Sequence, residues 1–198
     1  TGYLIAQRFR VNRVENWFAN AKVTARQHSL FTRPPLEVEL CAINCLRIVN
    51  VHLRSMRGLD NPRKRNYVAI KRQLQAQKIA YKVQQIQSSE PESALLIVGD
   101  FNALPKSDPY VDVYGIIKGM PDPNRPRWKS EDLVEPDLFD LTRSISPERR
   151  YSYIYRGRKQ QLDHALATAT LAERLTEAQF IALDRAITDH SALFLKFR

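Results

Sequence analysis

An apolar run that ends in two polar residues reads Leu95-Leu-Ile-Val-Gly-Asp-Phe-Asn102. Its aliphatic start is typical of a strand buried on both faces of a sheet. Gly99 allows the backbone to turn tightly where this strand ends. Asp100 and Asn102 are two residues apart, so both side chains can point the same way. A carboxylate beside an amide suits a metal ion, or a phosphate with its attacking water, whereas a turn that merely caps the strand uses the same residue types.

Three of the four histidines also stand at the end of strand-like runs. These runs are Leu46-Arg-Ile-Val-Asn-Val-His52, Gln161-Leu-Asp-His164 and Ile187-Thr-Asp-His190. Carboxylates, amides and imidazoles gathered at strand ends are groups from which hydrolytic sites are built. We therefore predict that these strand ends meet in one site.

The alternation of side chains along a strand separates Asp163 from His164, because successive residues point to opposite faces. Only one of the two can face the site, and we expect it to be Asp163. Its carboxylate would orient His190 as a general base near neutral pH. His164 is then a structural residue, hydrogen-bonded behind the sheet. Asp189 precedes the last strand in a less regular segment and can therefore also reach the site.

Asn50 and His52 share one face of their strand with Ile48, while Val49 and Val51 share the other face. An imidazolium at His52 would donate a hydrogen bond to a phosphoryl oxygen, and Asn50 would contact the substrate beside it. A half-exposed histidine at a strand end, with no chemical role, is the alternative for His52 alone.

The size of the chain, 198 residues with 43% hydrophobic content, suits one domain over residues 1–198. The formal net charge of +10 favours a polyanionic partner such as nucleic acid or a phosphate-rich surface. A basic surface that only keeps the protein soluble is nearly as consistent with this charge. No apolar stretch approaches the roughly 18–20 residues that a transmembrane helix needs, and the first residues lack the features of a signal peptide.

Basic residues follow His52 directly: Arg54, Arg57, Arg63, Lys64, Arg65, Lys71 and Arg72. If they line the mouth of the site, they would contact nucleic-acid phosphates with a strong dependence on salt. A solvated loop and an outer helix face are the alternative. Arg54, Arg57 and, from a later loop, Arg125 are the candidate substrate contacts. Trp128 of that loop would either stack on a base or pin the loop to the protein.

The hydrophobic pattern predicts mostly strands, interrupted by a few helices. We expect a hairpin of residues 36–41 and 45–53, a helix over residues 66–87, a long loop over residues 103–136 with a short helix near residues 110–115, a second hairpin of residues 151–155 and 160–167, a short helix over residues 170–177 capped by Thr170, and closing strands at residues 180–183 and 192–197. A disulfide between Cys41 and Cys45 is geometrically allowed, whereas a zinc site is not expected. This pattern favours an α+β sandwich over a doubly wound parallel sheet.

Four motifs, in their order along the chain, resemble the endonuclease/exonuclease/phosphatase superfamily with its deoxyribonuclease I-like fold. They are Val49-Asn-Val-His-Leu53, Val98-Gly-Asp-Phe-Asn102, Leu162-Asp-His164 and Thr188-Asp-His-Ser191. Arg33-Pro-Pro-Leu36, His52-Leu-Arg-Ser55 and the hairpin that begins at Tyr151 are similar to bacterial extracellular-nuclease-like members. The resemblance implies a four-layer sandwich of two packed mixed β-sheets with flanking helices. A secreted or periplasmic location is favoured over a cytoplasmic one.

The resemblance also implies hydrolysis of a phosphoester that depends on a divalent metal, Mg²⁺ or else Mn²⁺ or Ca²⁺. By the resemblance, His190 is the general base or a phosphate contact and is oriented by Asp163. Asp100 and Asn102 position the water and the phosphate. His52 contacts the scissile phosphate or assists the leaving group, and Asp189 helps to hold the metal.

The chain departs from the family pattern at its start. The family carries an Asn and then a metal-binding Glu at the ends of its first two strands, and no residue before Tyr3 supplies either one. Glu15 does not match the family's glutamate motif. We therefore expect a domain that is incomplete at its N-terminus, with an exposed edge strand, weak or absent metal binding and little activity.

Together these patterns predict a divalent-metal-dependent phosphodiester hydrolase, most simply a nuclease, with DNA favoured as its substrate. A phosphatase or phospholipase acting on a non-nucleic phosphoester is an alternative with the same chemistry. The alternative from a different class is a catalytically silent module that binds nucleic acid or another protein.

Overall fold

A six-stranded mixed sheet forms the centre of the molecule, as seen in a computed structural model that describes residues 2–23, 28–105, 110–124 and 129–198. The strands are β1 (Arg10–Asn16), β2 (Leu36–Cys41), β3 (Cys45–His52), β4 (Ala94–Asp100), β5 (Phe139–Asp140), β6 (Tyr153–Tyr155), β7 (Arg158–Gln160), β8 (Asp163–Ala167), β9 (Leu175–Ile181) and β10 (Ala192–Phe197). The α-helices are α1 (Arg65–Ser89), α2 (Val113–Lys118) and α3 (Ala169–Ala172), with short 3₁₀ turns at Leu141–Ser144 and Pro147–Arg149.

The central sheet has the strand order β1-β2-β3-β4-β8-β5. Strands β3 and β4 are parallel, and the other neighbours are antiparallel. Strands β9 and β10 form a separate antiparallel hairpin, as do β6 and β7. Few helices accompany these strands, so the predicted α+β class is confirmed.

Helix α1 covers one face of the central sheet. The apolar stripe that the sequence predicts is fully buried and includes Ala76, Ile79, Ala80 and Val83. It belongs to the same core as Val49, Val51, Leu95 and Ile97, which alternate along β3 and β4. Each large apolar side chain removed from water in this way contributes roughly 1.5–3 kcal/mol. The helix and the two central strands therefore form one packed unit.

The β9–β10 hairpin covers the opposite face of the sheet. A second apolar cluster contains Leu96, Ala165 and Ala167 of the sheet, with Leu193 and Leu195 of β10 packed against it. The outer face of the hairpin is exposed, as the alternating burial of β10 shows. This alternation is the period-2 pattern of a strand with one covered face. The covered face of β10 lies against the central sheet, so the start of β10 is beside that sheet.

The second predicted hairpin is divided between two sheets, which corrects the expected pairing of residues 151–155 with residues 160–167. Strand β6 pairs with β7 and has a single bridge from Tyr153 to His190, whereas β8 joins the central sheet between β4 and β5. Leu162 lies between the two strands and donates its main-chain N–H to Ser152. The predicted strand of residues 160–167 is therefore two strands, β7 and β8, and the partners of β8 are distant along the chain.

Two short helices also differ from their predicted positions. Helix α2 begins three residues later than expected, because the Asp112 carboxylate accepts the main-chain N–H of Gly115 and so caps the helix. Helix α3 ends at Ala172, and its N-cap is Thr168, not Thr170. The Thr168 hydroxyl donates to the carbonyl of Ser93 and accepts from Leu95, so it ties the helix to the start of β4.

A disulfide joins Cys41 and Cys45, which are paired directly across the turn between β2 and β3. Strand β1, which pairs with β2, forms one edge of the central sheet and is mostly exposed. Within the ranges that the structure describes, no helix is both long enough and apolar enough to span a membrane.

Candidate active site

His52, Asp100 and Asp163 lie side by side at one end of three neighbouring strands. The register pairs His52 with Asp100 across β3 and β4, and Asp100 with Asp163 across β4 and β8. Every second residue along β4 and β8, starting from Asp100 and Asp163, lies on the same face of the sheet. The nearest of these, Val98 and Ala165, belong to the apolar cluster beneath β10. The covered face of the sheet therefore ends in a polar row.

His190 completes this row from the loop that precedes β10. Its Nδ1 lies 2.6 Å from Oδ2 of Asp163. This hydrogen bond raises the pKa of His190, and desolvation partly opposes it. With Nδ1–H donated to the carboxylate, Nε2 is the nitrogen that can accept a proton. The contact that the sequence predicts between Asp163 and His190 is present, and the role of His190 as a base stays a prediction.

Asp100 and Asn102 form a compact turn at the end of β4. Asn102 donates its main-chain N–H to Oδ1 of Asp100 at 2.8 Å and its Nδ2–H to Oδ2 at 2.8 Å. The same amide also donates to the carbonyl of Leu53 at 3.1 Å, so it links the ends of β4 and β3. The structure therefore contains the Asx-type turn that the sequence offered as an alternative. The same turn holds the side chains of Asp100 and Asn102 in the polar row, so a turn here is compatible with a role in the site.

The pKa of Asp100 is raised to about 6, chiefly by burial and also by the neighbouring Asp163 carboxylate, against the opposing hydrogen bond from Asn102. Two carboxylates that face each other resist joint ionisation. Asp163 has the hydrogen bond to His190, so Asp100 is the one whose ionised form is disfavoured. Near neutral pH, Asp100 is therefore poised to gain or lose a proton.

Gly99 is required by the close approach of β4 to β3. Its φ is +131°, and a Cβ atom there would lie 2.2 Å from the carbonyl oxygen of Val51. The Oδ1 atom of Asn50 would be 2.9 Å from the same Cβ, so the Asn50 side chain lies against this glycine. Asn50 also donates its main-chain N–H to the Tyr3 hydroxyl. Its predicted contact with substrate is not tested by these bonds.

His52 has an unexpected partner in Arg33, whose Nη1 lies 2.6 Å from its Nε2. A guanidinium can only donate, so Nε2 must accept and the imidazole is neutral. Desolvation lowers the pKa of His52, and the charge of Arg33 lowers it further. This contact and the lowered pKa disfavour an imidazolium at His52, and its predicted contact with a phosphoryl oxygen stays a prediction. The positive donor at this place is Arg33, which the sequence offered only as part of the Arg33-Pro-Pro-Leu36 motif.

A cavity of about 200 Å³ adjoins the row at His52, with Arg33, Arg54 and Asn102 in its lining. Arg54 donates to the Ser55 hydroxyl and to the carbonyl of Arg57. The Arg57 side chain itself is exposed. Arg125 and Trp128 lie outside the described residues. Of the three candidate substrate-binding arginines, Arg54 is the one that the structure places in the cavity.

Three polar residues of helix α1 hold the loops around this cavity from below. Arg72, which is 1% exposed, donates to the carbonyls of Arg54 and Asn102 at 2.5 and 2.9 Å. Gln75 accepts the main-chain N–H of Arg54, and Lys71 donates to the carbonyl of Ser29. Both Lys71 and Arg72 are buried. Both side chains donate hydrogen bonds to loop carbonyls inside the protein. They therefore form neither a phosphate-binding track nor a solvated helix face.

His164 lies on the opposite face of β8 and is fully buried. Its Nε2 is 2.8 Å from the carbonyl of Ala103, and its Nδ1 is 3.1 Å from the amide nitrogen of Gln161. The rings of Phe101 and Tyr114 pack against it. Burial lowers the pKa of His164. This is the position that the sequence predicts for a structural histidine behind the sheet.

The polar row does not fit a divalent metal as a complete site. Among the described residues, the only group of three or more carboxylate, imidazole or thiolate side chains close enough to share an ion is that of Asp132, Glu135 and Asp137. These are exposed or nearly so and lie next to β5, which pairs with the far end of β8. Asp189 is exposed beside His190. Its predicted role as a metal ligand stays a prediction.

No protein-family model matches the chain, nor does any curated protein. Solved structures do. A truncated TDP2 of Caenorhabditis elegans is 14% identical with a TM-score of 0.62, over 96% of this chain and 67% of that one. The 3′ phosphatase NExo of Neisseria, bound to a product DNA hairpin, is 18% identical with a TM-score of 0.60, over 96% and 72%. An AP endonuclease from Archaeoglobus fulgidus is 17% identical with a TM-score of 0.56, over 82% and 64%.

These proteins belong to the endonuclease/exonuclease/phosphatase superfamily. The chain has their deoxyribonuclease I-like fold, as its four motifs predict. It spans about two thirds of the length of the structures described here. At 14–18% identity the likeness establishes the fold, and the chemistry has to be argued from the site itself.

Proposed function

We propose that the chain is a phosphodiester hydrolase, specifically a nuclease with DNA favoured as substrate. The observation that carries this proposal is the hydrogen bond between Asp163 and His190, placed in one row with Asp100 and His52. A histidine held by a carboxylate is a standard general base. A guanidinium, that of Arg33, and an amide, that of Asn102, lie further along the same row beside His52 and Asp100, and such donors suit a phosphoryl group.

In this proposal, Nε2 of His190 takes a proton from the attacking water while Nδ1–H stays bonded to Asp163. The carboxylate stabilises the imidazolium that forms. Asp100 accepts a hydrogen bond from the water and so orients it, and Asn102 positions the phosphoryl group. The water oxygen bonds to phosphorus as the bond to the leaving oxygen breaks. Residues of this chain perform each of these steps.

The preference for nucleic acid is supported by the net charge of +10 and by the two arginines in the cavity. The neighbours include a protein described with product DNA and one described as an AP endonuclease. Dependence on Mg²⁺, Mn²⁺ or Ca²⁺ is a prediction from the family resemblance. Because the described residues do not form a complete ligand set at the site, we assign no step to an ion.

The test is a nuclease assay on plasmid and on single-stranded DNA, with RNA as the comparison. Each substrate is incubated with Mg²⁺ or Mn²⁺ and, separately, with a chelator. Because the chain is expected to have little activity, we expect weak cleavage of DNA, which is lost in the His190→Ala variant and kept in Arg174→Ala, a variant at the opposite end of the strands. Equal cleavage by wild-type and His190→Ala protein would reject the assignment.

The incomplete set of metal ligands specifically favours a second candidate, a module that binds nucleic acid without cleaving it. Such a protein would retain the fold and the basic cavity. It predicts salt-dependent binding of DNA with no cleavage under any of the ionic conditions above. Cleavage that disappears in His190→Ala would exclude it.

A further inference from the structure

We propose that the cavity between Arg33 and Arg54 binds a second phosphoryl group of the substrate, next to the one that is cleaved. This inference rests on the proposed phosphodiester hydrolase function and adds a binding subsite to it. Its occupant is either a terminal phosphate of a nucleic acid or the next phosphate within the chain.

The lining of the cavity has the chemistry of an anion site. Arg33 and Arg54 supply two guanidinium groups, and Thr32 and Ser55 add hydroxyl groups. None of the described residues that line it is acidic. Guanidinium groups are the donors that proteins prefer for phosphate, since their N–H fork matches its oxygens. The cavity therefore favours a compact phosphate oxyanion.

The volume of the cavity agrees with this occupant. At about 200 Å³ it has room for roughly seven water molecules, each taking about 30 Å³ in the liquid. A phosphoryl group with several waters fits that space, whereas ligand pockets for whole small molecules begin at roughly 300 Å³. The cavity thus suits the phosphate of a nucleotide better than its base and sugar.

The walls of the cavity are held in place before any ligand binds. Gln75 is 2% exposed and accepts the main-chain N–H of Arg54 at 2.8 Å. Its amide nitrogen donates to the carbonyl of Leu30, in the segment that leads to Arg33. One buried side chain therefore links the two arginine-bearing segments. Such preorganisation lowers the entropic cost of binding.

The cavity is separate from the place where His190 acts. His52 stands between them, because it lines the cavity and also pairs with Asp100 in the sheet. Asp163, which holds His190, is on the next strand beyond Asp100. Two strand spacings amount to about 10 Å. A substrate with successive phosphates can therefore place one group beside His190 and another beside Arg33.

The experiment measures binding without turnover. Fluorescence anisotropy in a chelator compares a short single-stranded DNA that has a 5′-phosphate, one that has a 3′-phosphate, and one that has neither. Inorganic phosphate serves as a competitor. The proteins are wild type, Arg33→Ala, Arg54→Ala and, as a matched control, Arg174→Ala, with thermal melts to verify that each is folded.

We expect Arg33→Ala and Arg54→Ala each to weaken DNA binding about tenfold, the scale of one lost charge-assisted hydrogen bond. Arg174→Ala should bind like wild type. If the loss appears only with a terminally phosphorylated DNA, the occupant is a terminal phosphate. If it appears equally with all three DNAs, the occupant is an internal phosphate. Equal binding by all four proteins, or no competition by inorganic phosphate, would overturn the proposal.

Hydrolysis of bis(p-nitrophenyl) phosphate by the wild-type protein separates this inference from the proposed function. That diester has a single phosphoryl group and needs no second subsite. Hydrolysis together with equal binding in all four proteins would remove the subsite alone. No hydrolysis of this diester or of DNA, together with weaker binding in Arg33→Ala and Arg54→Ala, would reject the hydrolase and leave an anion-binding cavity.

Discussion

Asp100 and Asp163 face each other directly across the antiparallel pair of β4 and β8. Asp163 is bonded to His190, while Asp100 is bonded to Asn102. The proximity of the two carboxylates contributes to the raised pKa of Asp100, about 6. Two acidic groups of the same type thus acquire different properties from their surroundings. In the proposed mechanism, Asp163 orients His190 as the base while Asp100 orients the attacking water.

Asp163 and His190 should act as one unit in catalysis. We expect His190→Ala to lower kcat by at least about 10²-fold, the usual scale for a positioned acid–base group. Asp163→Asn should also lower kcat. The double variant should be little worse than His190→Ala alone, because groups that act together are non-additive. Steady-state kinetics on DNA for the four proteins measure this coupling, and fully additive losses would show that the two residues act separately.

The pH dependence of the reaction should reflect the raised pKa of His190. A general base must be unprotonated, so kcat/KM should increase as the pH passes through a value above about 6.5, the ordinary histidine pKa. Asp163→Asn removes the bond that raises this pKa. Its remaining activity should therefore have its acid limb at lower pH. An unchanged midpoint in Asp163→Asn would indicate that another group, such as Asp100, governs the profile.

His164 should contribute to stability more than to turnover. His164→Leu leaves the carbonyl of Ala103 without its donor, which costs roughly 1–3 kcal/mol of unfolding free energy. His28→Leu is a matched control, because His28 is exposed and should change stability by no more than about 0.5 kcal/mol. Urea unfolding measures both. A large fall in kcat with unchanged stability would place His164 in the active site instead.

The same histidine makes stability depend on pH. Its pKa is lowered in the folded protein, so the unfolded chain takes up a proton at pH values where the folded protein does not. The contribution of neutral His164 to stability is therefore present above about pH 6.5 and decreases as the pH falls below that value. His164→Leu should lack this part of the acid destabilisation, which urea unfolding at pH 5 and pH 8 would measure.

Arg72 should position the active-site loops without touching substrate. Arg72→Lys keeps the charge, but lysine is shorter and lacks the Nη1 atom that donates to the carbonyls of both Arg54 and Asn102. We expect faster hydrogen exchange at residues 53–55 and 101–103, and a kcat that falls more than KM rises. Arg63→Lys, a conservative change at an exposed arginine, is the control. Unchanged exchange in both segments would contradict this role.

Gly99 should be far less tolerant of alanine than Gly157. Both have a positive φ, but a Cβ at Gly99 would collide with the carbonyl of Val51, whereas nothing lies within 4 Å at Gly157. We expect Gly157→Ala to cost about 1 kcal/mol, the strain of the left-handed conformation alone. Gly99→Ala should cost at least about 2 kcal/mol more and disturb Asp100. Similar melting temperatures for the two variants would show that β3 and β4 can move apart.

The faces of β3 and β4 could be predicted from the sequence because a strand alternates with a strict period of two. That rule placed Asp163 in the site and His164 behind the sheet, where the structure has them. The contact between Arg33 and His52 could not be predicted, since Arg33 lies in a segment without periodicity and its partner is 19 residues further along the chain. The division of the second hairpin was missed for a related reason, because β8 pairs with β4 and β5, which are distant from it along the chain.

The burial of Lys71 and Arg72 was also missed. Their pattern in the sequence is that of a charged helix face, and such a face is normally solvated. The carbonyl groups that accept their hydrogen bonds belong to Ser29, Arg54 and Asn102, in three separate loops. Only the folded arrangement brings these acceptors beneath the helix.

His52, Asp100 and Asp163 are aligned only when their three adjacent strands pair in the correct register. The proposed hydrolysis therefore depends on that register. A slip of one residue in β4 would turn Asp100 toward helix α1 and bring Gly99 to the face beneath β10. Such a misaligned chain would bury the Asp100 carboxylate in the apolar core and separate Asp100 from His52 and Asp163. Inserting a single residue ahead of Val98 should therefore abolish the native state, while an insertion at the exposed tip beside Gly157 should be accommodated.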